Sequence, residues 1–359
     1  MSGASATAAV VYVANADTQD LTVFDLRADG AMALLGTVAV QRPAQVGRSI
    51  VLAPSPDRKF LYAGHLSGAG QTAVATFAVN ARSGMPERLG SAALADTTAY
   101  LATDRSGRFL FSASYSGNQV TVNAIRADGS VGDTLQVVCT EPKAHCIVTD
   151  PSNRFVLHTS LGGGLIYQER FDARTGKLSP NDPPTVGARA KSGPRFLVFA
   201  PDGKFVYLIN ELDAAVDVHP FDPRSGTLAA AIQTANTVPE RFSGRPWGAD
   251  IHLRPDGKFL YVSERTTSMI TAFAVDPASG RLTRVDAYPT VKQPRAFNID
   301  PSGRYLLSAG QLSNTVVCHL IDAASGELIA LREHAVGKNP TWVESVALTQ
   351  APRPRFVRP

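Results

Sequence analysis

Cysteine is scarce in this chain, and its three copies (Cys139, Cys146 and Cys318) form neither an even set nor a C-x-x-C pair. That argues against a disulfide framework or a structural zinc site, and favours a reducing compartment. Long hydrophobic runs are missing as well. No stretch approaches the roughly 18 uninterrupted apolar residues that a membrane-spanning helix requires. The opening MSGASATAAVVYVAN has no basic start and no long apolar centre, so it does not read as a secretion signal. The expectation is a soluble, cytoplasmic protein. Charge is thin: charged residues make up 18%, with 35 basic against 31 acidic and a net charge of +4. So small an excess, unclustered, argues against a nucleic-acid partner and is compatible with a small anionic substrate. Helical periodicity is absent throughout.

Turn formers and a repeat are present instead. The 359 residues include 29 glycines and 24 prolines, and 44% are hydrophobic, which is enough for a core built from many short strands. One phrase recurs as SPDRKFLYAG (55–64), RSGRFLFSAS (105–114), PSNRFVLHTS (151–160), PDGKFVYLIN (201–210), PDGKFLYVSE (255–264) and PSGRYLLSAG (301–310). Its aromatic falls at Phe60, Phe109, Phe155, Phe205, Phe259 and Tyr305. In each unit an apolar strand runs into a turn, a second strand returns, and third and fourth strands follow around turns such as DPRSG and DPASG. Four strands per unit of this length is the pattern of a β-propeller blade. AVVYVANADT supplies a second strand with no first before it, and NPTWVESVALT a first strand with no second after it. The expected fold is all-β: a seven-bladed β-propeller with four antiparallel strands per blade. Its ring is closed by the C-terminal strand completing the N-terminal blade. A single propeller over residues 1–349 would leave 350–359 as a solvated tail.

The repeat also ranks positions. In a blade the start of the first strand and the end of the second share one face of the disc, beside the central channel. Ten residues before the aromatic the chain reads Ile50, Ala99, His145, Arg195, Ala249 and Arg295; six after it, Leu66, Tyr115, Leu161, Glu211, Arg265 and Gln311. Five ionisable residues therefore break the symmetry and should point into one cleft. The bland alternative is a set of solvated ion pairs between blades. Cys146, beside His145, should pack inside its blade because neighbours on a strand face opposite ways. The remaining histidines, His65, His158, His219, His252, His319 and His334, show no metal-ligand spacing. Nor is there a GxSxG elbow or a phosphate loop. Trp247 and Trp342, both at strand starts, are expected as walls of the cleft, and segments 179–193 and 233–247 as loops at its mouth.

The phrases GPRFLVFAPDGKFVYLINEL, ADIHLRPDGKFLYVSERTTSMITAF, QPRAFNIDPSGRYLLSAGQ and AVGKNPTWV resemble the lactonase family of seven-bladed propellers. The likeness is greatest to its cycloisomerase-type bacterial 6-phosphogluconolactonases. It covers essentially the whole chain and implies hydrolysis of a sugar lactone, most simply 6-phosphogluconolactone in the pentose phosphate pathway, without metal or cofactor. It also implies a site made of His145, Glu211, Arg195 and Arg265 as catalytic residues, with Arg295, Trp247, Gln311 and Tyr115 binding substrate. The partner is a small anionic lactone, and the protein is expected to be a monomer or weak homo-oligomer. His145 or Glu211 can act as general base, while the arginines suit an oxyanion and an anionic substrate. The family often has His after the GPR arginine; here Phe196 follows, and by alternation it should face away from Arg195. A muconate-type cycloisomerase could use the same residues. A non-catalytic binding propeller would instead show exposed aromatics and no buried charge cluster.

Overall fold

The computed structural model describes residues 7–41, 49–66, 71–239 and 241–348; the tail expected at 350–359 lies outside them. Every element among the described residues is a β-strand, so no helix there could cross a membrane. Seven antiparallel sheets form the ring. The innermost strands, in chain order, are Val51–Pro54, Tyr100–Thr103, Ala144–Thr149, Pro194–Phe199, Gly248–Leu253, Pro294–Ile299 and Pro340–Val346. The last of these belongs to the first blade. Pro340–Val346 pairs antiparallel with Thr7–Asn15, with Tyr12 opposite Glu344, so the two chain ends share one blade as expected.

The recurring aromatic holds blades together. Each ring lies against a glycine in the outer turn of the following blade: Phe109 on Gly176, Phe155 on Gly226, Phe205 on Gly280 and Phe259 on Gly326. Gly226 has φ of 75°, and a Cβ there would come within 2.1 Å of the Phe155 ring, so both conformation and space demand glycine. Tyrosines two residues further on reinforce the joint. The hydroxyls of Tyr62, Tyr207 and Tyr261 donate to the Gly129, Gly280 and Gly326 carbonyls at 3.1, 3.1 and 2.9 Å. The repeat thus encodes contacts between units, while its variable positions are left for the channel.

Those variable positions gain their direction from a local irregularity. Pairing between the first and second strands slips between Ala144 and Cys146, between Pro194 and Phe196, and between Pro294 and Ala296. His145, Arg195 and Arg295 are the extra residues at these bulges, which re-aim a side chain where a regular ladder would not. Two of the expected mouth loops are partly strand: Lys177–Gly187 is the outer strand of its blade, and Gln233–Asn236 pairs with Ala215–Asp222. Of the two segments, only Trp247 lines the cleft.

Candidate active site

One carboxylate oxygen organises the cleft. Glu211, just past the strand Phe205–Asn210, places Oε2 3.0 Å from Arg195 Nε, 3.1 Å from Arg265 Nη2 and 3.7 Å from His145 Nε2. Burial works to raise the Glu211 carboxyl, but Arg195, His145 and Arg265 outweigh it and hold it at about 2. His145 is pushed the other way from a typical surface histidine. Burial, and then the charge of Arg195, set it well below its ordinary value, with Glu211 opposing and Arg295 adding to the fall. At neutral pH the pair is therefore a carboxylate beside a neutral imidazole. Tyr115 and Phe196 place their ring edges on the imidazole at 5.5 and 5.2 Å between centroids.

The cavity in front of this group holds about 590 Å³, within the usual range of about 300–1,000 Å³ for small-ligand sites. His145, Glu211, Arg265, Arg295, Tyr115 and Trp247 all line it. Arg265 also donates to the Gly248 carbonyl at 2.9 Å and sits over the Trp247 ring at 3.8 Å. Burial and the proximity of Arg195 push its guanidinium down from the ordinary value, yet a guanidinium remains a cation at neutral pH. Arg295 faces the cavity and has no ion pair or hydrogen bond among the described residues.

Two of the expected site residues stand elsewhere. Arg195 is fully buried and does not line the cavity. Its donors are engaged by Glu211 and by the Ala249 carbonyl, and its guanidinium covers the Phe196 ring at 4.0 Å. Gln311 is held between Gln293 and Asn339 in amide hydrogen bonds of 3.1 and 2.9 Å that join neighbouring loops, away from the cavity lining. Phe196 does not face away from Arg195, because the bulge breaks the alternation on which that expectation rested. Trp342 is not a wall of this cleft either. With Tyr100 and Phe196 it forms a trio of rings in edge contact (4.9, 5.5 and 5.9 Å between centroids). Beyond the trio lies a second cavity of about 210 Å³, lined by Asp250, His252 and Glu344. Cys146 does pack inside as expected, its thiol pushed up to about 12 by burial.

Sequence reasoning missed the opposite wall, made of Ser49, His65, Thr72, Thr97, Thr98 and Ser116. Reading one or two residues to either side of Ile50, Leu66, Ala99 and Tyr115 would have reached most of them. Among the described residues no group of three His, Cys, Asp or Glu side chains is arranged to hold a metal ion.

Fold and charge cluster define a class before they define a substrate. Residues 11–345 match the family model described as Lactonase, 7-bladed beta-propeller, and the chain belongs to that family. By class it is therefore a lactone-hydrolysing enzyme. It is 39% identical to a protein of Pectobacterium carotovorum named 6-phosphogluconolactonase, over 94% of this chain and 99% of that one. The periplasmic gluconolactonase of Pseudomonas aeruginosa superposes with a TM-score of 0.84 at 28% identity, covering 95% of this chain and 99% of that one. A putative 6-phosphogluconolactonase from Bacteroides fragilis gives 0.84 and 28%, covering 96% and 100%.

Proposed function

We propose that this protein hydrolyses a sugar δ-lactone, that its substrate is 6-phosphogluconolactone and that it serves the pentose phosphate pathway in the cytoplasm. The observation that carries the reading is an imidazole beside an arginine-clamped carboxylate, in a cavity that also presents Arg295, a cation with no ion pair or hydrogen bond among the described residues. The relatives named 6-phosphogluconolactonase support the choice of substrate. Three free thiols and no disulfide are consistent with a reducing compartment.

In this reading His145 takes a proton from a water molecule as the water oxygen bonds to the lactone carbonyl carbon. Glu211 stabilises the imidazolium that results, as a carboxylate beside a catalytic histidine does. The carbonyl oxygen becomes an oxyanion and is met by Arg265. Collapse of the tetrahedral centre re-forms the carbonyl and breaks the ring C–O bond. The imidazolium returns its proton to the departing alkoxide, and the carboxylic acid formed ionises to carboxylate and a proton. Arg195 touches no substrate here and fixes Glu211 from behind. Arg295 receives the phosphate, and the hydroxyl-bearing wall of Ser49, Thr97, Thr98 and Ser116 suits the sugar hydroxyls.

The test is the rate of 6-phosphogluconolactone loss, with the lactone generated in situ and spontaneous hydrolysis subtracted. Removing a general base typically lowers the rate about 10²–10⁴-fold. Wild type should accelerate the loss, and His145→Ala should fall by that factor. If folded wild type leaves the background rate unchanged, this substrate is wrong, and non-phosphorylated lactones and muconates are the next compounds to try.

A further inference from the structure

The cleft carries more positive charge than its own chemistry uses. Arg195 and Arg265 share the Glu211 carboxylate, whereas Arg295 makes no ion pair or hydrogen bond among the described residues and feels Glu211 and Asp250 only at longer range. Two of these cations, Arg195 and Arg295, act on an imidazole that must itself become positive in order to act as a base. We infer that the anionic group of the substrate is an activator as well as an anchor: seated on Arg295, it cancels the charge that opposes proton transfer to His145. Filling one half of the cavity thereby switches on the chemistry in the other. This deepens the lactonase reading above and rests on it.

The physical basis is local. The charged groups that act on His145 are Arg195, Glu211 and Arg295, and its other close neighbours are the Tyr115 and Phe196 rings. Of the two arginines that oppose its protonation, Arg195 is fixed in its ion pair with Glu211 at 3.0 Å and walled off from the cavity, where no ligand can reach it. Arg295 therefore carries the adjustable part. It lines the cavity half-buried, where a charge acts more strongly than in water. A doubly charged phosphate there turns the cation into a net anion, and the imidazolium formed during attack changes from repelled to favoured. Binding energy from a non-reacting part of the substrate is thus converted into rate, which raises kcat as well as lowering KM.

The inference separates from simple anchoring when the substrate is divided into two pieces. Wild type would be assayed on non-phosphorylated gluconolactone with and without inorganic phosphate at constant ionic strength. Enzyme-free controls at each phosphate concentration remove buffer catalysis. Saturating phosphate should raise the turnover of gluconolactone about tenfold or more, in the range of ordinary coupling between two ligands. In Arg295→Gln the phosphate effect should vanish, and turnover without phosphate should exceed that of wild type because the opposing charge is gone. On 6-phosphogluconolactone the acid limb of kcat should lie at higher pH than that of kcat/KM, since the first reports the occupied site and the second the free one. The inference is overturned if wild type hydrolyses 6-phosphogluconolactone while phosphate fails to raise gluconolactone turnover. Equal activation of wild type and Arg295→Gln overturns it as well. If wild type accelerates neither lactone, the lactonase reading fails first and takes the inference with it.

Discussion

Changing Glu211 to Gln keeps the shape of the side chain and removes the one charge that reconciles Arg195 with Arg265. The carboxyl itself sets the magnitude. Held at about 2 in the folded protein against an ordinary value near 4.5, it contributes roughly 3 kcal/mol to folding, at about 1.4 kcal/mol for each tenfold change in its acid constant. The arginines bear a cost in the same cluster, because burial pushes both of them down, so the carboxylate's gain is not the net stability of the group. Removing only the carboxylate leaves that cost in place and adds two unanswered guanidiniums. Glu211→Gln is expected to lose about 3 kcal/mol at pH 7, read as a lower urea midpoint at unchanged slope. The sign with pH is fixed: a depressed carboxyl stabilises above its unfolded value, and that contribution fades as pH falls through the folded value. The difference between wild type and variant should therefore be constant from pH 8 to about 5 and shrink between about 5 and 2. A difference that persists undiminished at pH 3, or a variant as stable as wild type at pH 7, refutes the reasoning.

His145 is neutral well below the usual imidazole range, so kcat/KM should stay level from pH 8 to about 6.5 and fall only at distinctly lower pH; an acid limb centred at or above 6.5 would count against His145 as the base. Tyr207→Phe removes the hydroxyl that donates to the Gly280 carbonyl and should cost about 1 kcal/mol, visible as a small drop in thermal midpoint with lactone turnover unchanged. A chain ending at residue 339 lacks the innermost strand of the first blade, and loss of a cooperative melting transition is the expected result. A sharp transition near that of the full chain would mean that closure matters less than the pairing implies.

The propeller was legible because its most frequent signal is also its assembly code. The aromatic at Phe155 and the glycine at Gly226 each recur, and each exists to meet the other. Counting the repeat thus counted the blades, and the residues that broke the repeat marked the cleft. His145, Glu211, Arg265 and Arg295 were reached in that way. Strand alternation failed where a bulge replaced it. Phe196 and Trp342 could not be placed by a period of two, because the strand beginning at Pro194 slips by one residue just before Phe196, and Trp342 lies one residue deeper along its strand than the position that faces the cleft. Arg195 looked like a ligand-binding residue since nothing in a sequence separates a guanidinium facing a cavity from one walled in behind a carboxylate. The hydroxyl wall was invisible for a simpler reason: serine and threonine are too common in turns for Thr97, Thr98 or Ser116 to stand out.

The ring trio of Tyr100, Phe196 and Trp342 bears on traffic as much as on packing. A channel open at both ends would let a reactant enter at one side and its product drain from the other. Here three ring edges meet on the far side of the cleft, and where they seal the passage a reactant that comes in past Tyr115 and Trp247 has to go out the same way. On the proposed reading, an opened product carrying both phosphate and carboxylate would leave against the pull of Arg295 and in the path of the next arrival. Such a vessel with a single doorway would be slowed by its own accumulated product, and its throughput would follow how quickly that product is carried away.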